Sequence, residues 1–187
     1  RVWGWDGSGP PAAPLDAAFG MYNTYARDQD ALAFSAPYYT IFRSAGNDRL
    51  DNPVTGQMVS LSPGATPVAY SSSSHPAGDN IYRGGYDTIG YAALSKNVIT
   101  VGSVSDAVAG SLRSPGAANI SSFSSFGPTD DGRIKPDLVA NGETVKSSIN
   151  TSNAAYASYN GTSMATPNAA GTAALLVQTH ANLFPGV

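Results

Sequence analysis

The sequence contains no cysteine and few charged residues. Only 12% of its 187 residues are Asp, Glu, Lys or Arg, about half of the usual share. The absence of cysteine excludes a disulfide framework, a thiol nucleophile and a cysteine-based zinc site. A net charge of -3 argues against nucleic-acid binding, which needs clustered Lys and Arg. Low charge and the lack of cysteine together favour a secreted or extracytoplasmic protein.

Long apolar runs are also missing. No stretch approaches the roughly 20 apolar residues that a helix needs to cross a bilayer, so we expect no membrane span. The first residues, RVWGWDGSGPP, lack the basic and apolar regions of a signal peptide. The apolar fraction of 42% is nevertheless sufficient for the core of one domain.

Helical and strand-like segments alternate along the chain. Residues 10–36 show apolar residues at helical spacing before a proline. Short apolar or β-rich runs follow at residues 38–43, 98–104, 138–140 and 145–149. Residues 48–90, rich in Gly, Pro, Ser and Asp, are too long for an ordinary connection and are predicted to form a surface insertion. The alternation predicts an α/β domain with a mostly parallel sheet between helices.

The last predicted helix begins next to a serine. Pro167 has no backbone N–H and is tolerated near a helix start, which predicts a helix that begins at about residues 162–164. Its small and apolar residues predict that it is central and buried. Ser163 would lie where the helix dipole and free N–H groups favour negative charge, and Gly161 would allow close approach to the backbone. Ser163 is therefore either a nucleophile, if a base can take its proton, or a helix cap.

Two short segments resemble the active-site motifs of one family. Residues 161–167, GTSMATP, resemble the nucleophile motif of the subtilisin-like serine proteases, the subtilases. Residues 44–47, SAGN, follow an apolar run and resemble the oxyanion loop of that family. Three further segments resemble the intervening subtilase strands, in the family's order: residues 96–104, 123–128 and 131–142. The α/β-hydrolase elbow does not match, because it needs glycine where Ala165 stands.

The resemblance implies a fold, an activity and a set of site residues. It implies a three-layer subtilisin-like fold and a serine endopeptidase that forms an acyl-enzyme on Ser163. It implies that the amide of Asn47 donates to the tetrahedral intermediate in the oxyanion hole. The implied substrate-binding residues are Ser44, Ala45, Gly46, Gly161 and Thr162. The substrate would be a protein or peptide, and the chemistry would require no cofactor.

The family's other catalytic residues are not recognisable. Subtilases carry Asp, His and Ser in that order, and no histidine precedes Asn47. His180 lies 17 residues beyond Ser163, about 25 Å along a continuous helix, and His75 is in the wrong order. The upstream aspartates lack the family's motif and are interpreted as helix caps and surface charges: Asp6, Asp16, Asp28 and Asp30.

We therefore expect residues 1–187 to form part of a catalytic domain whose triad Asp and His come from outside this segment. The remainder of the domain would be its partner, and the segment alone is predicted to be inactive. The alternative hypothesis is a non-catalytic relative that binds peptides or partner proteins. A structural calcium ion is compatible with the family, but no complete set of ligands is visible and solvated carboxylates are the better interpretation. The oxygen donors considered for calcium are Asp48, Asp51, Asp79 and Asn80.

Overall fold

A computed structural model describes six segments of the chain: residues 19–50, 55–56, 58–59, 66–71, 73–74 and 86–186. Their helices and strands are, in chain order, α1 (Thr24–Ser35), β1 (Phe42–Ser44), β2 (Met58–Val59), β3 (Val68–Ala69), β4 (Ile99–Val104), β5 (Val108–Ala109), β6 (Leu112–Arg113), β7 (Leu138–Asn141), β8 (Val145–Ser148), β9 (Tyr156–Tyr159) and α2 (Thr162–Leu183). Two single-turn 3₁₀ helices lie at Tyr91–Ala93 and Pro115–Ala117.

A parallel sheet of three strands, in the order β1-β4-β7, forms the centre of the fold. Phe42 of β1 lies opposite Ile99 of β4, and Val101 of β4 lies opposite Leu138 of β7. After its first residue β4 is buried throughout, as expected for a parallel strand that is covered on both faces. The strands predicted at residues 98–104 and 138–140 are confirmed. The three remaining strand pairs are antiparallel: β2–β3, β5–β6 and β8–β9.

The sheet lies between two helical layers. Phe42 of β1 lines a cavity together with Ala173 and Leu176 of α2, so it faces that helix. Arg43 donates a hydrogen bond to the side-chain carbonyl of Gln29 in α1, at 2.7 Å. Because successive side chains of a strand point to opposite faces, α1 and α2 lie on opposite sides of the sheet. This is the three-layer α/β arrangement predicted from the sequence.

One apolar cluster of the core consists of Ala45, Ile89, Ala93 and Leu94. Ile89 is completely buried, as is its neighbour Thr88, whose N–H donates to the carbonyl of Phe126 at 2.9 Å. The last residues of the predicted surface insertion are therefore part of the core, which corrects that prediction at its C-terminal end. Most of the remaining insertion lies outside the described residues.

Helix α1 is shorter than predicted. It begins after Asn23, whose side chain accepts a backbone N–H of the first turn as an N-cap. The preceding residues are not helical, because Phe19 forms a β-bridge and Gly20 adopts a φ of +74°. The predicted helix over residues 10–36 is therefore wrong at its described N-terminal end, and residues 10–18 lie outside the described chain.

Strand β1 and helix α2 also differ from the predictions. Tyr38, which was predicted to begin the strand, is fully exposed in a turn, and β1 starts only at Phe42. Helix α2 begins at Thr162 as predicted, but only its first turn contains buried residues. Leu175 and Leu176 are about two-thirds exposed, because among the described residues only the sheet packs closely along this helix. The prediction of a buried helix is wrong for this part of the chain. Neither described helix has the length and apolar character that a membrane span requires.

Candidate active site

Strand β1 leads directly into the segment that resembles an oxyanion loop. The N–H of Ala45 donates to the carbonyl of Val101 at 2.9 Å, which continues the pairing with β4. The next residue, Gly46, turns the chain with a φ of +107°, a conformation that favours glycine. Asn47 thus leaves the sheet at the carboxyl ends of the parallel strands, the edge where α/β sheets place their binding sites.

Helix α2 begins at the same edge of the sheet. Its cap, Gly161, has a φ of +154°, which side-chain-bearing residues rarely adopt, and its N–H donates to the carbonyl of Gly142 at 2.8 Å. A Cβ atom on Gly142, just after β7, would lie 2.6 Å from the carbonyl oxygen of Gly161. Glycine at both positions therefore allows this close contact. As a result, the second helical residue, Ser163, is exposed at the carboxyl edge of the sheet.

The start of α2 and the loop after β1 are joined by Thr162. The N–H and the hydroxyl of Thr162 both donate to Oδ1 of Asn47, at 2.9 and 3.0 Å. The same hydroxyl accepts the N–H of Gly46 at 3.2 Å. Thr162 is 1% exposed, so these hydrogen bonds are shielded from water. They hold the side chain of Asn47 by its oxygen and leave its Nδ2 as a donor.

Two N–H donors converge beside the exposed serine. A Cβ atom placed on Gly161 would lie 3.4 Å from Nδ2 of Asn47 and 3.7 Å from the backbone nitrogen of Ser163. Both nitrogens therefore border the same small space. In the described part of the chain neither donates a hydrogen bond to another group. A pair of free donors at a helix N-terminus is suited to stabilise an oxygen that becomes negative during a reaction.

A cavity of about 310 Å³ adjoins the loop. Ser44, Ala45 and Gly46 form one side of it, so three of the predicted substrate-binding residues share one cavity. Phe19 and Ala93 belong to the remaining lining. The other two predicted residues, at positions 161 and 162, lie at the start of α2.

No described histidine lies beside the serine. His180 is in the last turn of α2, where it is exposed and its ring centre lies 5.0 Å from that of Phe184. His75 lies outside the described residues. His180 is thus at the opposite end of α2 from Ser163, as the sequence spacing predicted.

Two of the upstream aspartates, Asp28 and Asp30, lie in the described residues, and each binds other groups of the chain. Asp28 is exposed and forms an ion pair with Arg27 at 2.8 Å. Asp30 was interpreted as a cap or surface charge, but it is 9% exposed and holds together two parts of the chain. Its carboxylate accepts the backbone N–H groups of Lys96 and Asn97, at 3.0 and 2.7 Å. Asp6 and Asp16 lie outside the described residues.

The hydroxyl of Tyr22 also donates to Asp30, at 2.7 Å. Burial alone would raise the pKa of Asp30, but the hydrogen bonds from the two backbone N–H groups and from Tyr22 outweigh it and lower the pKa below its usual 3.8. The same hydrogen bond raises the pKa of Tyr22 above its usual 10.0. Asp30 is therefore an ionised structural anchor.

The calcium hypothesis gains no support from the described residues. They contain no group of three or more His, Asp or Glu side chains that could hold a metal ion. Asp48 lines the cavity next to the loop, whereas Asp51, Asp79 and Asn80 lie outside the described chain.

Sequence reasoning missed two residues that shape the site. Gly142 supports the start of α2, and Ser125 contacts the loop on both sides of Asn47. Both belong to segments that were assigned to strands of the family. The Asn-Gly pair at the end of β7 and the paired serines of FSSF mark these two positions in the sequence, but they do not indicate which residues Gly142 and Ser125 contact.

The fold and the site define an α/β protein with an exposed serine at a helix N-terminus, next to an asparagine amide. Comparison with known proteins adds that the family model described as "Subtilase family" matches residues 3–186. The chain belongs to the subtilase family.

Curated relatives include proteases that are longer than this chain. Serine protease AprX of Bacillus subtilis (strain 168) is 36% identical over 110 residues, which cover 52% of this chain and 24% of AprX. C5a peptidase of Streptococcus pyogenes is 40% identical over 74 residues, which cover 40% of this chain and 6% of the peptidase. The matches thus span a quarter or less of these relatives.

Solved structures agree on the fold. The prenylagaramide maturation protease PagA is 18% identical with a TM-score of 0.53, and the match covers 91% of this chain and 43% of PagA. The self-cleaved protease domain of PatA is also 18% identical, with a TM-score of 0.51 and coverage of 88% and 42%. At this identity the similarity supports the α/β fold alone.

Proposed function

We propose that the protein is a serine endopeptidase that cleaves peptide bonds through an acyl-enzyme on Ser163. The observation that carries this proposal is the convergence of Nδ2 of Asn47 and the N–H of Ser163 on one space beside the exposed serine. Membership of the subtilase family, which includes serine proteases such as AprX, supports the same chemistry.

The proposed reaction uses the groups of this site in a fixed order. Oγ of Ser163 attacks the carbonyl carbon of the scissile peptide, and a histidine takes the hydroxyl proton. The carbonyl oxygen becomes an oxyanion that accepts hydrogen bonds from Asn47 and from the backbone of Ser163. Protonation of the amine leaving group releases the first product. Water then hydrolyses the ester on Ser163 in a second step that uses the same donors. No cofactor is needed for these steps.

We further propose that the triad Asp and His are supplied by a separate portion of the catalytic domain. The family's order of Asp, His and Ser supports this, because no histidine precedes Asn47 in the sequence. The sheet supports it as well, since β1 pairs only with β4 among the described strands. The other edge of β1 is available for strands of the partner portion, and these strands would extend the parallel sheet.

The substrate in this proposal is a protein or peptide. The cavity lined by Ser44, Ala45 and Gly46 would take the side chain on the acyl side of the scissile bond, as the resemblance to subtilases implies. Gly161 would lie close to the substrate, because a side chain at that position would intrude on the oxyanion space. A secreted or extracytoplasmic location and a structural calcium ion remain predictions.

Active-site labelling of the full-length protein tests the proposal. A fluorophosphonate should react with Ser163, and Ser163→Ala should abolish both labelling and peptide cleavage. Ser152→Ala, which changes an exposed serine in the loop before β9, is the matched control and should retain both. Absence of labelling in a folded wild-type protein, or labelling of another serine, would contradict the proposal.

The second candidate is a non-catalytic subtilase-fold module that binds peptides. The lack of a histidine near Ser163 in the described residues favours it. An Asp motif and a His-Gly-Thr motif upstream in the full open reading frame would favour the protease. Their replacement, together with peptide binding that survives Ser163→Ala and produces no cleavage, would favour the binding module.

A further inference from the structure

A serine-rich segment, residues 121–126, is attached firmly to the central strand of the sheet. The hydroxyls of Ser121 and Ser103 lie 2.8 Å apart, and the N–H of Ser121 donates to the carbonyl of Ser103 at 3.0 Å. The hydroxyl of Ser124 accepts the N–H of Ser103, also at 3.0 Å. Ser103, Ser121 and Ser124 are each at most 1% exposed, so these hydrogen bonds do not compete with water. The serine-rich segment is therefore a rigid support.

Ser125 connects this support to the oxyanion loop. Its N–H donates to the carbonyl of Gly46 at 2.9 Å, and its hydroxyl accepts the N–H of Asp48 at 2.9 Å. The two contacts lie immediately before and after Asn47. Ser125 is completely buried, so water cannot replace its hydroxyl without a structural change.

We propose that Ser125 is a positioning residue that fixes the backbone of Asn47 so that Nδ2 points at the oxyanion. This inference rests on the proposed protease function. Thr162 holds the side chain of Asn47, but an amide on a loop keeps its direction only if the backbone on both sides is fixed. An oxyanion donor must lie about 2.7–3.1 Å from the oxygen, and a misplacement of about 1 Å can cost on the order of 100-fold in rate.

Loss of the Ser125 hydroxyl should act on the reaction and not only on stability. Without it, the N–H of Asp48 loses its acceptor, and the loop gains freedom to move that donor toward water. The other contact, from the N–H of Ser125 to Gly46, is made by the backbone and survives the substitution. The loop therefore stays attached at Gly46 and, further on, through the N–H of Arg49, which donates to the carbonyl of Phe123 at 3.3 Å, but it loses the contact directly after Asn47.

Ser124 provides a matched control for this role. Its hydroxyl is as deeply buried as that of Ser125 and accepts a backbone N–H in the same way, but from β4 and not from the oxyanion loop. Ser124→Ala and Ser125→Ala should therefore lower the melting temperature by similar amounts. Only Ser125→Ala should change the chemical step.

The experiment measures kcat and KM for peptide cleavage by the full-length protein and its variants. We expect Ser125→Ala to lower kcat about tenfold with KM nearly unchanged, less than the 100-fold or more expected for loss of the donor itself. Ser125→Cys, which is almost the same size and keeps a weak acceptor, should fall between the wild type and Ser125→Ala. If Ser125→Ala does not fold, the kcat of Ser125→Cys is compared with that of Ser124→Ala instead.

A double-mutant cycle with Asn47→Leu tests whether Ser125 acts through Asn47. If it does, Ser125→Ala should cause almost no further loss of kcat once the Asn47 amide is absent. Two outcomes would overturn the inference: equal kcat values for Ser125→Ala and Ser124→Ala, or an effect of Ser125→Ala that is as large in the Asn47→Leu background as in the wild type. In either case, cleavage by the wild type would still support the proposed function. Absence of Ser163-dependent cleavage in the wild type would overturn the proposed function itself and this inference with it.

Discussion

Oδ1 of Asn47 accepts two hydrogen bonds from Thr162, one from its N–H at 2.9 Å and one from its hydroxyl at 3.0 Å. The backbone N–H can only donate, so the amide oxygen must face it. The orientation of the Asn47 amide therefore follows from the backbone of α2, and Nδ2 is left to face the space beside Ser163. Thr162, the residue before Ser163, thus determines which end of the Asn47 amide faces the space beside Ser163.

Replacement of Asn47 by leucine should impair the chemical step. Leucine has a similar size but no donor, so the oxyanion would lose one of its two hydrogen bonds. Removal of one such donor in subtilisin costs about 10²–10³ in kcat, and we carry that magnitude over from this relative. Steady-state kinetics of the full-length protein should show this loss with little change in KM, whereas Asn153→Leu in an exposed turn should be neutral. An effect mainly on KM would instead indicate ordinary substrate binding.

Thr162→Val should lower kcat about tenfold, because valine keeps the shape of threonine but cannot donate to Asn47 or accept from Gly46. The control is Thr166→Val in the same helix, where the lost hydroxyl donates only to a backbone carbonyl. Its kcat should remain close to that of the wild type. Similar kcat values for the two variants would show that the Thr162 hydroxyl does not control the amide.

The local parts of the site could be predicted from the sequence, but the contacts between them could not. Ser163 and the loop that ends in Asn47 each lie in a short motif, and the apolar run of β4 identified the strand between them. The contact between Asn47 and Thr162 joins residues 115 positions apart, and local patterns contain no information on such pairs. The same reason explains why the role of Ser125, 77 residues from Asp48, was missed.

The exposure of α2 was unpredictable for a different reason. Composition shows that Leu175 and Leu176 are apolar, and apolar residues on all sides of a helix normally indicate burial. Burial also requires a second layer, and the described residues supply one only on the side of the sheet.

The length of α1 differs from the prediction because of a local signal: the cap at Asn23 starts the helix there, although the apolar pattern extends further upstream.

Gly161→Ala should reduce kcat strongly. The new methyl group would lie 3.4 Å from Nδ2 of Asn47, in the space proposed for the oxyanion, and the backbone conformation at φ +154° would become strained. Gly171→Ala is the control, because a Cβ atom at that position of α2 meets no other group within 4 Å. It should retain activity and stabilise the helix by about 0.5–1 kcal/mol. Both variants should be measured in two ways: thermal unfolding reports the backbone strain, and kcat reports obstruction of the site. Full activity of Gly161→Ala would contradict the proposed oxyanion space.

Asp30 should make the stability of the protein sensitive to acid. Its pKa is lowered in the folded state, so its contribution is fully present above the unfolded value of about 3.8 and is lost as the pH falls through the lower, folded value. Asp30→Asn should reduce the free energy of unfolding at pH 7 by about 1–3 kcal/mol, because an amide nitrogen would meet the N–H donors of Lys96 and Asn97.

The variant should also lose part of the pH dependence of unfolding below about pH 4. Chemical denaturation at a series of pH values measures both effects. Asp28→Asn is the control, since its ion pair with Arg27 is exposed and contributes little. A stability profile of Asp30→Asn that matches the wild type at every pH would show that the carboxylate does not anchor the fold.

The 187-residue chain, expressed alone, should not cleave peptides. Neither of its two histidines is a suitable base: His180 is at the far end of α2, and His75 is in the wrong order for the family. Without a base within about 3 Å, Oγ of Ser163 keeps its proton and remains a weak nucleophile. Cleavage of a broad peptide library by this chain, compared with its Ser163→Ala variant, measures the prediction.

The same isolated chain should also associate or aggregate. Tyr38 is 100% exposed, Leu176 is 66% exposed, and one edge of β1 is unpaired among the described strands, so that apolar surface and backbone hydrogen-bonding groups are both accessible. Co-expression with the segment proposed to carry the triad Asp and His should both cover these surfaces and restore Ser163-dependent cleavage. Light scattering gives the solution mass in both cases. A soluble monomer with Ser163-dependent turnover would contradict both predictions, because it would require a base within this chain and a sheet that is complete without a partner.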